Sequence, residues 1–227
     1  MTAILPSAVI GVVGGTGKLG AALARRWAMN GLGVLIGSRD AAKAKRAASA
    51  LSAELGRHVG AGSNVEVAQA ADIIVVTVPF AAQGDTLAEI RAAATGKIVV
   101  DTTVPLLPPK VMRVHMPAEG CAALRAQALL GAGVTVVAAF HNVAAHKLTT
   151  GVDIACDVLV FGDNKEARRR VVALADAAGL RGIHGGVLCN STAAEALTSV
   201  LIFINKAYQV DGAGMRITGE LRESAED

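Results

Sequence analysis

An apolar run that breaks into glycines and then into a helix constrains this chain more than any other stretch. Val9, Ile10, Val12 and Val13 surround Gly11 and read as a short strand buried on both faces, after which Gly14, Gly15, Gly17 and Gly20 interrupt the pattern. Gly15, Gly17 and Gly20 have the G-x-G-x-x-G spacing, which permits a tight turn, lets backbone approach a pyrophosphate and packs the next helix closely on the strand. That helix places Leu19, Leu23 and Trp27 on one face. Its unpaired N–H groups and positive dipole end favour a diphosphate without any basic side chain. A dinucleotide-binding strand-turn-helix is therefore expected at the start of the chain.

The rest of the sequence repeats that plan. Hydrophobic residues make up 52% of the chain and aromatics only 3%, so the core must be built from Ala, Val, Leu and Ile, as in parallel sheets covered by helices on both faces. Further strands are expected at Val34 to Ile36, Val59 to Ala61, the unalternated run Ile73 to Val78, in KIVVDTTVP from Lys97 with Asp101, Thr102 and Thr103 at its carboxyl end, and at Thr135 to Phe140. Helices are expected between them, with Asp40 capping the one that begins near Ala41 and Ser63 and Glu66 in capping-box spacing. From His146 the pattern changes to a strand at Asp157 to Phe161, a helix opened by Asp163 and Glu166, an extended piece at Arg181 to His184, and a last helix with Ser191 as N-cap. The fold class is thus α/β, a Rossmann-type doubly wound, mainly parallel sheet over residues 1–145 with a smaller C-terminal α/β domain over 146–227. Leu197, Leu201 and Ile204 share one face of the last helix, and the apolar patch from Val200 to Ile204 requires cover from the first lobe or a second subunit.

Several function classes are excluded. The net charge of +3 is too small for a nucleic-acid binder, and Arg168 to Arg170 read as a solvated helix face. Residues 129–140 are apolar but fall short of the roughly 20 residues of a membrane span. The first residues, with Pro6 just before the strand, have no basic leader pattern, and the acidic tail is expected to fray. Cys121, Cys156 and Cys189 lack C-x-x-C spacing, and His141 and His146 do not match a zincin, so neither a disulfide framework nor a metal site is expected and a cytoplasmic setting fits.

The cofactor follows from the end of the second strand. A carboxylate there would accept from the 2′-OH of NAD, whereas Ser38, Arg39 and Lys43 offer donors and positive charge suited to the 2′-phosphate of NADP. Asp40 could take the ribose role if the strand ended a residue or two later. Thr77, Val78, Pro79 and Phe80 end a buried strand and should line the cofactor's path, while His141 and Asn142 end another on the same rim.

At GGTGKLG (Gly14 to Gly20), GSR (Gly37 to Arg39), DIIVVTVPF (Asp72 to Phe80) and GVLCNSTAAEALTSVLIFIN (Gly186 to Asn205) the chain resembles the NADPH-dependent F420 reductases. The resemblance implies a homodimer and a cleft between two domains in which a deazaflavin stacks on nicotinamide. It also implies that Thr16, Gly17, Lys18 and Leu19 contact the pyrophosphate, that Ser38, Arg39 and Lys43 hold the 2′-phosphate, and that Val78, Pro79 and Phe80 flank the nicotinamide. His141, Val143, Leu188, Cys189 and Asn190 match positions near the deazaflavin, with His141 the one catalytic candidate. Ala144 stands where the family often has proline, and Cys189 where serine is common. Two other readings fit the residues: an NADP-dependent reductase or dehydrogenase of a pterin or flavin, and a non-catalytic NADP-sensing protein.

Overall fold

The computed structural model describes residues 8–150 and 154–222. The leader reading at residues 1–7 and the fraying of residues 223–227 lie outside that range. Strands β1 (Val9–Val13), β2 (Gly33–Ser38), β3 (Gly60–Ser63), β4 (Ile73–Val76), β5 (Ile98–Asp101) and β6 (Thr135–Ala138) run parallel. Strand β7 (Asp157–Phe161) pairs antiparallel with β6 and carries β8 (Arg181–Gly186) parallel to itself, giving an eight-stranded sheet in the order β3-β2-β1-β4-β5-β6-β7-β8. The chain steps outward one way from β1 and the other way from β4, so the strand order reverses between those two parallel strands.

Helices α1 (Lys18–Met29), α2 (Ala41–Leu55), the short α6 (Ala145–Thr149) and α7 (Lys165–Ala177) close one face of the sheet. Trp27 lies at the centre of that layer. It is fully buried, meets the Phe140 ring edge-on at 5.9 Å, and donates its indole N–H to Leu174 O at 2.9 Å, so its one polar atom is satisfied. The other face is covered by α3 (Asn64–Ala70), α4 (Phe80–Ile90), α5 (Ala122–Leu130) and the start of α8 (Ser191–Tyr208). Close packing there depends on Gly11, where a Cβ would come within 2.7 Å of the Ala71 methyl.

Most boundaries match the expectation, and the differences have local causes. Strand β4 stops at Val76, although the Thr77 N–H still donates to Val13 O, and Pro79, which has no N–H to give a ladder, is the N-cap of α4. Strand β6 stops at Ala138, and the chain turns at Phe140 with φ of 67°, which sends that ring into the core. Asp40 and the Ser63–Glu66 box cap α2 and α3 as expected. Helix α7 is capped by Asn164, which accepts from Ala167 N, while Asp163 accepts from Leu188 N.

Two side-chain expectations are corrected. Arg168 is not solvated: it is 4% exposed, on the inward face with Val171 and Ala175, and its guanidinium donates to Gly162 O. Ser191 does not cap the last helix. A 3-10 turn at Leu188–Asn190 leads into α8, Asn190 takes the N-cap position without a side-chain bond, and the Ser191 hydroxyl turns inward. With that turn, Leu188–Tyr208 is a 21-residue segment of mean hydropathy 1.2, which by length and composition alone would suffice for a membrane span. Its buried face carries Ser191, Glu195 and Ser199 besides Ala194 and Leu201, while Val200 and Phe203 are exposed.

Candidate functional site

The carboxyl ends of β1 and β4 flank the point where the sheet reverses, and a ligand crevice forms outside such ends. The turn after β1 is held open by close contacts that only glycine allows. Gly14 has φ of 73°, and a Cβ there would come within 2.6 Å of Val78 Cγ1. At Gly20 a Cβ would lie 2.4 Å from Thr77 Oγ1 and 2.8 Å from the Gly15 Cα. Thr77 joins the two edges, since both its N–H and its hydroxyl donate to Val13 O at 3.0 Å. Asn64, 1% exposed at the start of α3, accepts from Gly14 N with its side-chain oxygen at 3.3 Å.

Helix α1 begins directly behind this turn. Its N-cap is Gly17, no side chain caps it, and no acidic residue stands in its first turn. Its first N–H groups and the positive dipole end are therefore presented to the crevice. Gly15 is buried, Thr16 and Leu19 are half-buried, and Gly17 and Lys18 are exposed on the same turn.

At the end of β2, Ser38 is buried and its hydroxyl oxygen accepts from Asp40 N at 3.2 Å, which leaves its hydrogen to donate outward. The Asp40 carboxylate accepts from Lys43 N at 3.0 Å and caps α2. Arg39 and Lys43 are exposed, and their cationic groups have no ion pair among the described residues. Across the crevice Val78 packs on the core and Pro79 is exposed, while Phe80 is half-buried beneath the Arg125 guanidinium, 5.0 Å from its ring centre.

The second set of residues lies further along the rim. His141 follows β6 and is 7% exposed, and neither ring nitrogen has a hydrogen-bond partner. Burial lowers its pKa to about 4, which keeps the imidazole neutral near pH 7. Asn142 donates to Ala194 O at 2.8 Å and Thr198 Oγ1 at 3.1 Å, and Thr198 donates to His141 O at 3.1 Å, so the end of β6 is bound to α8. Val143 is half-buried against the Trp27 layer. The Leu188–Asn190 turn packs on β6 and β7, with Leu188 buried in the core and Cys189 and Asn190 exposed.

Beneath the rim lie groups that the sequence did not single out by role. Asp101, at the end of β5, is wholly buried, and its pKa is raised to about 6 by burial against the opposing bonds from Thr103 and Gln83. Glu195 on α8 is pushed up to about 7, again chiefly by burial, with the amides of Ala122 and Ala123 opposing and the Asp101 charge adding to the rise. No group of His, Cys, Asp and Glu among the described residues could hold a metal ion.

Comparison with known proteins places the chain in a family. Residues 9–105 match the family described as NADP oxidoreductase, coenzyme F420-dependent. The F420-dependent NADP reductase of Methanothermobacter thermautotrophicus is 40% identical over 92% of this chain and 94% of its own, and that of Methanothermobacter marburgensis is 39% identical over 92% and 97%. A solved structure from Arthrobacter sp. FB24, named as a candidate F420-dependent NADP reductase, is 24% identical with a TM-score of 0.76, covering 92% of this chain and 99% of that one, and has the same fold. Carried by identity over nearly its whole length, the chain belongs to the F420-dependent NADP reductases.

Proposed function

We propose that the protein transfers a hydride between NADP(H) and coenzyme F420 along the rim of its sheet. The observation that carries this reading is His141, buried at the end of β6 on the side of the glycine turn with both ring nitrogens unpartnered. A buried polar ring without a partner is costly, and a polar ligand arriving at that rim would relieve it. The residues present fit both carriers. The bare α1 N-terminus, with Thr16 to Leu19, would hold the diphosphate of NADP; Ser38, Arg39 and Lys43 would hold its 2′-phosphate; and Val78, Pro79 and Phe80 would flank the nicotinamide. Val143, Leu188, Cys189 and Asn190 would line the deazaflavin side with His141.

When bound, the nicotinamide and the deazaflavin supply the hydride chemistry between them. The protein's part is to bind, orient and keep out water, a role that a neutral buried imidazole at His141 suits. The polypeptide up to residue 145 would serve as the cofactor half and residues 146–227 as the half that closes over the acceptor. A homodimer would cover the exposed Val200 and Phe203 of α8, and the free thiols of Cys121, Cys156 and Cys189 suit a reducing cytoplasm.

The test is an acceptor panel. Purified protein mixed anaerobically with NADPH should consume it with F420 and not with flavin or pterin. Consumption with a pterin or flavin alone would replace the acceptor, and tight NADPH binding without turnover on any ring would leave a sensor.

A further inference from the structure

Behind the rim runs a chain of buried polar side chains that none of the ligand assignments uses. Asp101 Oδ2 accepts from Gln83 Nε2 at 2.7 Å and from the Thr103 hydroxyl at 3.0 Å, and Gln83 also donates to Ala122 O at 3.0 Å. Ala122 opens α5, and its N–H donates to Glu195 Oε2 at 2.6 Å while Ala123 N donates to Oε1 at 3.2 Å. The Ser191 hydroxyl donates to the same Oε1 at 3.1 Å and stands 3.2 Å from the Cys121 thiol. Glu195 is 1% exposed, and Gln83, Asp101, Cys121 and Ser191 are fully buried.

The arrangement is unusual for a helix cap. The N-cap residue of α5 is Cys121, whose sulfur is a weak acceptor, 3.4 Å from Leu124 N. The strong acceptor at this helix end comes instead from α8, 73 residues later in the chain. A buried carboxylate is costly unless it is hydrogen-bonded, and here three donors and the positive end of α5 offset that cost. The Leu188–Asn190 turn leads directly into α8, and Gln83 continues the connection to the end of β5. The polar chain thus joins the strand ends of the cofactor half to the turn on the acceptor side.

We infer that Glu195 is a positioning residue: by capping α5 from α8 it fixes the Leu188–Asn190 turn relative to the ends of β4 and β5, and so sets the spacing at which the two rings meet. This rests on the hydride-transfer reading above. The groups around the carboxylate are the Ala122 and Ala123 amides from α5, the Ser191 hydroxyl from α8 with the Cys121 thiol behind it, and Asp101 from the end of β5 through space. None supplies a competing cap.

The experiment compares Glu195→Gln and Glu195→Ala with the wild type in three measurements: NADPH binding, turnover with F420, and amide hydrogen exchange without ligands. A 1 Å misplacement can cost roughly a hundredfold in rate, so kcat should fall about ten- to a hundredfold for the Ala variant and less for Gln, which keeps one carbonyl acceptor. NADPH affinity should stay within about twofold, because the glycine turn is untouched. The isotope effect on kcat with NADPH deuterated at C4 should rise as transfer becomes slower than release. Exchange should quicken together in peptides covering 119–130 and 186–195 and stay constant over 14–30. If the Ala variant does not fold, the Gln variant is read in the same way. Unchanged kcat, or faster exchange in α5 alone, would overturn the role of Glu195. No F420 turnover by the wild type would instead overturn the underlying reading, and the exchange pattern would still report the latch.

Discussion

The cofactor half can be tested by reversing its charge at the end of β2. Ser38→Asp with Arg39→Ala removes an outward hydroxyl donor and a cation, and puts a carboxylate where a 2′-phosphate would sit. The Ser38 oxygen already accepts from Asp40 N, a role that a carboxylate retains, so the local turn should survive. Arg39 is exposed and makes no ion pair among the described residues, so its loss should leave the apo protein's stability nearly unchanged. A hydrogen bond to a charged group contributes about 1.5 to 3 kcal/mol, and exposure of Arg39 favours the lower end, roughly tenfold in affinity. Like-charge repulsion from the new carboxylate adds a comparable amount, so NADPH should weaken about a hundredfold overall. NADH lacks the phosphate, and its 2′-hydroxyl can donate to the introduced carboxylate, so its affinity should change by less than about threefold. Titration of intrinsic fluorescence from Trp27, or calorimetry, would give both constants. Equal loss for the two nucleotides would refute the assignment of Ser38 and Arg39.

Other consequences are sharper in geometry than in magnitude. Gly20→Ala should cost about 1 to 3 kcal/mol of stability and weaken NADPH, because the methyl meets Thr77 Oγ1; Thr77→Ala in the same chain should restore part of both, as a double-mutant cycle by denaturant melts and binding would show. Glu195 and Asp101 have pKa values raised to about 7 and about 6, so their contribution to stability is full below their ordinary values and is lost as pH rises through the raised ones; thermal melts should show Glu195→Gln flattening that loss between acid and neutral pH. His141 runs the other way: with its pKa lowered to about 4, stability is present above its ordinary 6.5 and lost as pH falls through 4, and His141→Gln should reduce the acid loss in the same melts. If a second copy covers α8 as proposed, Phe203→Glu, at an exposed position, should lower the mass seen in sedimentation, and a monomeric wild type would remove the second copy from the account.

Local periodicity made the sheet readable. Unalternated runs such as Ile73–Val76 can be little but strands covered on both sides, and glycine spacing marked the turn before α1. That the residues around Gly15, Ser38 and Val78 follow strand ends on one rim was legible for the same reason. Features that depend on distant partners were not legible. Arg168 looked solvated beside Arg169 and Arg170, yet helix phase puts it on the inward face, and its partner is Gly162 O. Ser191 looked like a cap because it precedes a helix, but its hydroxyl is bound by Glu195, whose own partners lie on α5. Asn64 supports Gly14 from 50 residues away, a relation no spacing rule encodes. The inward turn at Phe140 follows from a positive φ that a bulky residue adopts only under tertiary constraint.

The central claim is direct passage of hydride from one carrier to the other across this rim. NADPH deuterated in turn at each face of its nicotinamide C4, mixed anaerobically with the protein and F420, tests it by mass spectrometry of the reduced deazaflavin. One of the two labelled forms should deliver its deuterium to the deazaflavin ring in stoichiometric yield, without exchange with water. Reduced deazaflavin free of label from both forms, or NADPH left unconsumed, would contradict the account.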